Sequence, residues 1–190
     1  NTSHRLARKL LGVFDKDELL FFDIETMGLR YRPTFLIGTG SYHDGIFEVK
    51  QFLARNLNEE KAIIHEFLNE LKNHKALVSY NGRSFDSRFL KERMNVLDLN
   101  GDLDLIHFDL LHFSRGLWKD RLPNHRLKTV EEGIINKKRE DDVSSALIPH
   151  FYELYLRKKN PGPIVPIIEH NKEDISSLAL ILNEINKALE

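Results

Sequence analysis

Two carboxylates stand two residues apart in an apolar stretch near the beginning of the chain. Asp23 and Glu25 lie in LLFFDIET, residues 19–26, which is typical of a buried strand. Alternate side chains of a strand point to the same side, so both carboxylates would face one way. Such a pair repels and is costly to desolvate, and a divalent cation such as Mg²⁺ removes that cost. The alternative is a strand end with solvated acids, and the pair alone does not decide between the two.

A third acid, Asp86, follows the short apolar segment ALVSY at residues 76–80. Residues 81–85 (NGRSF) indicate that the strand ends and a helix begins. Ligand sites favour the carboxyl ends of strands in α/β sheets. An acid in the first turn of a helix is also favoured by the helix dipole, and for Asp86 alone this structural explanation is the stronger.

The third element is a histidine–aspartate pair near the end of the chain. His170 and Asp174 stand four residues apart in a predicted helix, so they share one face. The same face continues into an apolar stripe that consists of Ser177, Leu178, Ile181, Leu182 and Ile185. An inward aspartate is costly unless it is paired or binds metal. A histidine can exchange a proton near neutral pH, although a structural histidine at a helix start is the alternative.

The elements that must position these residues follow from apolar periodicity and turn signals. Strands are predicted at 19–26, 34–41, 46–53, 76–80 and 105–109, with a turn at 43–45. Helices are predicted at 59–73, 85–94, after 109, and at 127–135, 143–158 and 164–188. Asn58 and Ser84 are the predicted N-caps of the first two helices, and the first helix would turn Ala62, Ile63, Phe67 and Leu71 to the core.

The connections between these elements predict an α/β fold. Short connections make the first three strands antiparallel, and crossover helices make the later strands parallel to the first. The result is a mixed five-stranded sheet flanked by helices at residues 19–190. Residues 1–18 form a lead-in that is predicted to be helical near Leu6, Leu10 and Leu11.

Composition limits the classes of protein. The 190 residues are 41% hydrophobic and 30% charged, with no cysteine, which suits one globular domain and excludes a disulfide framework or thiolate metal site. No apolar run is long enough to span a membrane and no signal peptide is visible, so a cytoplasmic protein without membrane association is expected. The net charge of −1 does not by itself indicate a nucleic-acid partner. Because the first residue is not Met, additional domains in a longer protein are an expectation.

Together the three elements are far more specific than any one of them. Asp-x-Glu in the first buried strand, Asn-x-x-x-Phe-Asp after a later strand and His-x-x-x-Asp on the last helix resemble, in that order, the exonuclease motifs of the RNase H-like DEDD superfamily (DnaQ-like). The chain is similar in particular to the YprB-like branch of predicted exonucleases. The segments that carry this likeness are FFDIETMGL, LVSYNGRSFD, FDLLHFSRGLWKDRLPNHRLKTVEE and IIEHNKEDISSL. The resemblance covers nearly the whole chain from residue 19.

The resemblance implies an RNase H-like fold and a metal-dependent 3′→5′ exonuclease that hydrolyses DNA or RNA from a single-stranded 3′ end. Asp23, Glu25, Asp86 and Asp174 would hold two divalent ions, Mg²⁺ or Mn²⁺. His170 would be the general base that acts on the attacking water. In the superfamily, Tyr stands four residues before the last Asp or His stands five before it. Here a His occupies the Tyr spacing, so its role is less secure than that of the acids.

Other residues are candidates for contacting the substrate or supporting the site. Candidate substrate contacts are Thr26, Met27, Gly28, Asn81, Arg83, Phe85, Trp118, Arg126 and Lys128. Residues 115–128 interleave basic residues with Trp118, which suits phosphate contact and base stacking on a single strand; the alternative is a solvated loop with Trp118 in the core.

Further polar residues lie close in sequence to these elements. Asp109 would be a fifth ligand, a partner of the ligands or a helix N-cap. Asn171 or Lys172 could position water or phosphate. Residues 137–139 (KKR) stand next to the acids of residues 140–142 and are interpreted as a solvated turn.

Two other functions stay open. One is a catalytically weak, exonuclease-like module that binds nucleic acid within a larger protein; the unusual histidine spacing favours it and the presence of all four acids opposes it. The other is a structure-specific RNase H-like endonuclease, which circular substrates would distinguish.

Overall fold

A single mixed sheet forms the centre of the fold. The computed structural model describes residues 12–29, 31–140 and 142–189. The strands are β1 (Leu19–Thr26), β2 (Thr34–His43), β3 (Ile46–Leu53), β4 (Ala76–Ser79) and β5 (Ile106–Asp109), in the order β3-β2-β1-β4-β5. The β1–β2 and β2–β3 pairs are antiparallel, and the β1–β4 and β4–β5 pairs are parallel. The predicted mixed five-stranded sheet is therefore confirmed, whereas the helix predicted near Leu6, Leu10 and Leu11 lies outside the described residues.

Helices cover both faces of the sheet. They are α1 (Glu60–Leu71), α2 (Asp86–Val96), α3 (Leu110–Leu117), α4 (Leu127–Ile134), α5 (Ile148–Lys158) and α6 (Val165–Leu189). The buried apolar residues of α1, α2 and α5 belong to one cluster, which Ile167 at the start of α6 also joins. Buried apolar residues of α3, α4 and the rest of α6 belong to a second cluster. The sheet thus separates two cores.

Alternation along β1 decides which helices face the first two acids. Leu20, Phe22 and Ile24 enter the core under α1, α2 and α5. Leu19 and Phe21 enter the core under α6. Asp23 and Glu25 continue the row of Leu19 and Phe21 because side chains two apart point to the same face.

The start of α1 differs from the prediction. The side chain of Asn56, rather than Asn58, accepts a hydrogen bond from the Asn58 backbone N–H at 3.0 Å. A short 3₁₀ turn at Leu57–Glu59 follows, so the α-helix begins at Glu60. Ala62 is exposed, and Ile64 and Leu68 complete the buried face instead.

Two other helix starts also differ. Phe85 precedes α2 without a side-chain cap, so the predicted cap at Ser84 is wrong. The helix predicted from residue 143 begins at Ile148. The predicted turn between β2 and β3 is confirmed: Asp44 and Gly45 have φ of 50° and 80°, as a tight hairpin requires.

Candidate active site

Four carboxylates from separate parts of the chain meet beside β1. Asp23 and Glu25 lie near the end of β1, and Asp86 is the first residue of α2. Asp174 lies on α6, which packs against β1 and β2. Asp86 and Asp174 are near enough to both β1 acids to repel their charges. The structure therefore brings together the four acids that the sequence singles out.

Burial leaves this group of acids under electrostatic strain. Burial raises the pKa of Asp23 and of Glu25 well above the usual range, and the charges of Asp174 and Asp86 raise both further. Burial also raises the pKa of Asp86 to about 7, although backbone hydrogen bonds oppose the shift. For Asp174, burial raises the pKa, while the neighbouring His170 and Arg139 side chains lower it. A site with this much uncompensated negative charge favours a cation.

Asn171 connects Asp23 on β1 to β3, the strand on the far side of β2. Its side chain is buried, and Nδ2 donates to Asp23 Oδ2 at 2.9 Å. Its Oδ1 accepts from Gln51 Nε2 on β3 at 2.9 Å. Gly38 pairs with Asp23 across the sheet, and a Cβ added at Gly38 would lie 2.2 Å from Asn171 Oδ1. The close approach of α6 to the sheet therefore requires glycine at this position. Lys172, in contrast, is exposed and pairs with Glu169.

Asp109 holds the loop that leads to Asp86. Its Oδ1 accepts from the backbone N–H groups of Asn81 at 2.8 Å and Leu111 at 3.1 Å. Its Oδ2 accepts from the Arg83 backbone at 3.3 Å. The N-cap interpretation of Asp109 is therefore confirmed, and the same carboxylate ties residues 81–83 to the end of β5. Asp109 thus helps to position Asp86 by holding the loop that precedes it.

Glycine also allows this loop to pack tightly on Asp86. A Cβ at Gly82 would lie 2.4 Å from Ser79 Oγ and 2.7 Å from Asp86 Oδ2. Any larger residue would have to displace the carboxylate or the serine.

His170 turns one ring nitrogen toward the acids and the other away. Its Nδ1 lies 2.6 Å from Asp142 Oδ1. Its Nε2 lies 3.7 Å from Asp174 Oδ2 and 4.0 Å from Glu25 Oε1. The ring therefore stands at the edge of the acid group despite its unusual sequence spacing.

Arg139 is part of the site, so the interpretation of residues 137–139 as a solvated turn is wrong. Its side chain is 6% exposed, and Nη2 lies 2.5 Å from Asp174 Oδ1. The guanidinium also pairs with the fully buried Glu131, which accepts a hydrogen bond from Ser177 Oγ. Lys137 likewise packs on α6, where its Nζ donates to Ser177 Oγ at 2.7 Å.

One signal in the sequence could have revealed this ion pair. Glu131 follows Leu127 and Val130 and precedes Ile134, a spacing that places it within the apolar face of α4. An acid on an apolar face needs a buried cation, and the nearest candidates are the bases of residues 137–139.

Side chains of α1 and α2 hold the loop after β1 in place. Glu60 accepts from the Thr34 backbone N–H at 2.8 Å and pairs with Arg93, both side chains being buried. Arg93 Nη1 also donates to the Tyr31 carbonyl at 3.1 Å. Within the loop, Thr26 Oγ1 donates to the Gly28 carbonyl at 3.0 Å. The predicted contacts at residues 26–28 therefore lie in an anchored turn.

Two cavities adjoin the site. The first, of about 210 Å³, is lined by Leu29, Ser84, Phe85, Arg88, Phe89 and Glu92. Leu29, which the sequence reasoning missed, is 77% exposed. The second cavity has a volume of about 490 Å³. Its lining includes Arg126 and Lys128 together with His170, Asp174, Arg139 and Asp142.

Trp118 does not take part in either cavity. Its side chain is 3% exposed and packs with Leu110 and Val130 in the core under α6. The prediction that Trp118 stacks on a base is therefore wrong, because its ring has no free face. Its alternative, a core residue, is correct.

The donor set of the site suits hard divalent cations. The four acids offer only carboxylate oxygens, which Mg²⁺ and Mn²⁺ prefer. As the side chains stand, no group of three or more His, Asp or Glu residues in the described part of the chain is placed to hold a metal ion. Asp174 contacts Arg139 and Asp23 contacts Asn171, so two of the four acids already have partners within the protein.

The sequence profile of the RNase H superfamily matches residues 20–186. The chain belongs to the RNase H superfamily. It is also 32% identical over 192 residues to the uncharacterized protein YprB of Bacillus subtilis (strain 168), and this match covers 98% of the chain and 46% of YprB. The chain thus spans about half the length of this curated relative.

A solved structure shares the fold of this chain. The family B DNA polymerase from the hyperthermophilic archaeon Pyrobaculum calidifontis superposes with a TM-score of 0.67 over 90% of this chain and 26% of the polymerase. The sequence identity is 18%, so the likeness concerns the fold alone. The match to the RNase H superfamily supports a nuclease-like fold for this chain. Among the helices of the described residues, none combines the length and apolar character needed to cross a membrane.

Proposed function

We propose that this RNase H superfamily domain is a 3′→5′ exonuclease that hydrolyses phosphodiester bonds of DNA or RNA with divalent metal ions. The observation that carries the proposal is the meeting of four carboxylates beside one histidine, with Glu25 and Asp86 buried and Asp23 and Asp174 partly buried. Such a group has no structural use that offsets its repulsion, whereas metal-dependent phosphoryl chemistry requires it. The 3′→5′ direction rests on the motif resemblance.

Asp23, Glu25, Asp86 and Asp174 would hold two ions, Mg²⁺ or Mn²⁺. Bound there, the ions supply Lewis-acid stabilisation of the negative charge that develops during phosphodiester hydrolysis. Asn171 orients Asp23 through its 2.9 Å hydrogen bond, and the loop held by Asp109 orients Asp86. The protein thus contributes donors whose positions are set by hydrogen bonds outside the ligand group.

His170 is the proposed general base. Its Nε2 is the ring atom nearest the acids, and it would accept the proton of the attacking water. The distance of 3.7 Å to Asp174 Oδ2 leaves Nε2 without a direct hydrogen bond to that carboxylate.

The two cavities would receive the substrate. In the larger one, Arg126 and Lys128 would contact phosphates next to the acids. In the smaller one, Leu29 and Phe85 would contact the base of a terminal nucleotide. Thr26, Met27, Gly28, Asn81 and Arg83 stay candidate contacts through the turns that border these cavities.

The test is a degradation ladder. Single- and double-stranded DNA and RNA labelled at the 5′ end would be incubated with Mn²⁺, Mg²⁺ or chelator, with Asp23→Asn as the control. Stepwise shortening from the 3′ end that requires both metal and Asp23 supports the exonuclease. Cleavage of circular substrates would instead indicate the endonuclease.

One observation favours a second candidate, a nucleic-acid-binding module with weak catalysis. Arg139 contacts Asp174 and thereby places a positive charge of the protein within the acid group. Binding of nucleic acid without cleavage of any substrate, at any tested metal concentration, would support this module over the exonuclease.

A further inference from the structure

We infer that Asp142 is a positioning residue that holds the ring of His170 with Nε2 toward the catalytic acids. The inference deepens the proposed function and rests on it for the catalytic consequence. Neither the motifs nor the spacing of His170 and Asp174 indicated a role for Asp142.

The orientation of a histidine ring needs a partner outside its own helix. The position of His170 on α6 does not decide whether Nε2 or Cε1 of the ring faces the acids, because a half-turn about the last side-chain torsion exchanges these two atoms. A hydrogen bond to one nitrogen removes this freedom. Asp142 provides that bond from the segment before α5, at 2.6 Å from Nδ1.

The same bond assigns the proton on the ring. A carboxylate only accepts hydrogen bonds, so the Nδ1 that faces Asp142 carries a proton. In the neutral ring, Nε2 then has a free lone pair, and this atom lies 4.0 Å from Glu25 Oε1 and 3.7 Å from Asp174 Oδ2. A general base requires this arrangement at the atom that receives the proton.

The surroundings protect the bond between Asp142 and His170. The side chains are 16% and 10% exposed, so little water competes for either partner. Arg139 Nη1 also lies 3.7 Å from Asp142 Oδ1, so the positive guanidinium attracts the Asp142 carboxylate. Arg139 is itself anchored on the buried Glu131. One short segment therefore contacts both His170 and Asp174.

The first arm of the test is kinetic. In the Mn²⁺-loaded protein, Asp142→Ala is expected to lower kcat on a 5′-labelled single strand by about 10- to 100-fold with KM within about 2-fold, as for other groups that orient a catalytic residue. Glu140→Ala, an exposed acid in the same segment, is the matched control and should leave both unchanged. In a His170→Ala background, Asp142→Ala should cause no further loss, because both changes remove one unit.

The second arm does not depend on activity. In protein labelled with ¹⁵N-histidine, the Nδ1 proton of His170 should be at low field and exchange slowly with water. Asp142→Ala should remove this signal, whereas Glu140→Ala should retain it. Asp142→Asn, which keeps the size of the side chain, shows whether a loss reflects the carboxylate rather than misfolding.

These measurements distinguish a failure of the proposed exonuclease function from a failure of the positioning role of Asp142. If the wild-type protein cleaves no substrate but shows the protected proton, the proposed function fails and the positioning of the ring stands. Unchanged kcat in Asp142→Ala, an equal additional loss in the His170→Ala background, or a persisting Nδ1 signal would each overturn the inference.

Discussion

The guanidinium of Arg139 lies 2.5 Å from the carboxylate of Asp174. Arg139 also pairs with Glu131, whose side chain is completely buried, so one cation serves two acids. Neutralisation of Asp174 reduces the repulsion within the acid group, while the same contact competes with an external cation. Arg139 therefore links the stability of the fold to the occupancy of the proposed metal site.

Removal of Arg139 should destabilise the protein. Arg139→Gln leaves Glu131 buried without its cation, and breaking a buried pair in this way costs about 3–5 kcal/mol. Urea unfolding in chelator measures the free energy. Lys138→Ala, at the exposed neighbouring base, should change it by less than about 0.5 kcal/mol. Arg139→Met combined with Glu131→Leu should recover most of the loss, and a double variant as unstable as Arg139→Gln would contradict this account.

Divalent ions should raise the melting temperature because they relieve repulsion between buried acids. With Mg²⁺ or Mn²⁺ in excess, a rise of a few degrees is expected, equivalent to about 1–2 kcal/mol for a chain of this size. Asp86→Asn should reduce this rise and, in chelator, melt above the wild type because one buried charge is gone. Asp120→Asn, at an exposed acid, is the control for both. A full metal response in Asp86→Asn would remove Asp86 from the ligand set.

Alanine at Gly38 should disturb the site through Asn171. The added Cβ would lie 2.2 Å from Asn171 Oδ1, so the amide that orients Asp23 must move. Overpacking of this kind costs about 1–3 kcal/mol, and nuclease activity should fall with it. Gly162→Ala is the control, since its nearest atom lies 3.3 Å away on the exposed Asn160. Adding Asn171→Ala to Gly38→Ala should restore stability but not activity; no recovery of stability would place the clash elsewhere.

Acid should weaken the fold through His107. Burial lowers the pKa of His107 to about 4, and Ser79 and Ser87 contact its two ring nitrogens at 2.7 and 3.3 Å. The unfolded chain binds this proton near pH 6.5, so the stabilisation is complete above that pH and is lost as pH falls toward 4. The stability difference between wild type and His107→Gln should therefore shrink over this window. A difference for His107→Gln that stays constant over this window would rule out the mechanism.

Arg126 and Lys128 should act on substrate binding rather than on turnover. Because both line the cavity beside His170 and Asp174, Arg126→Ala with Lys128→Ala should raise KM and leave kcat nearly unchanged. The salt dependence of binding should become shallower by about one unit for each lost phosphate contact. Arg157→Ala, on the exposed side of α5, provides the control. An unchanged salt slope would show that the substrate follows another path.

The sequence by itself determined the sheet and the identity of the acids. Both depend on short-range periodicity: Asp23 and Glu25 share a face because they are two apart in a strand, and His170 and Asp174 because they are one helical turn apart. The antiparallel and parallel orientations of the strands also follow from connection lengths, which distinguish hairpins from crossovers. These features do not depend on how the side chains pack in the folded protein.

Only the tertiary structure decided which other side chains reach the acids. The bond of Asp142 to His170 and the approach of Asn171 over Gly38 join parts of the chain whose spacing carries no periodic signal. Periodicity marks Glu131 as an acid on an apolar helix face, but only the structure shows that Arg139 is its partner and that Arg139 also reaches Asp174. The charged residues 137–142 have the composition of a solvated turn. Composition alone does not show that side chains of α6 pack against this segment in the folded protein. Burial of Arg139, like that of Trp118, results from the packing of α4 and α6 on the sheet. This long-range packing decides whether a residue lies on the surface or in the site.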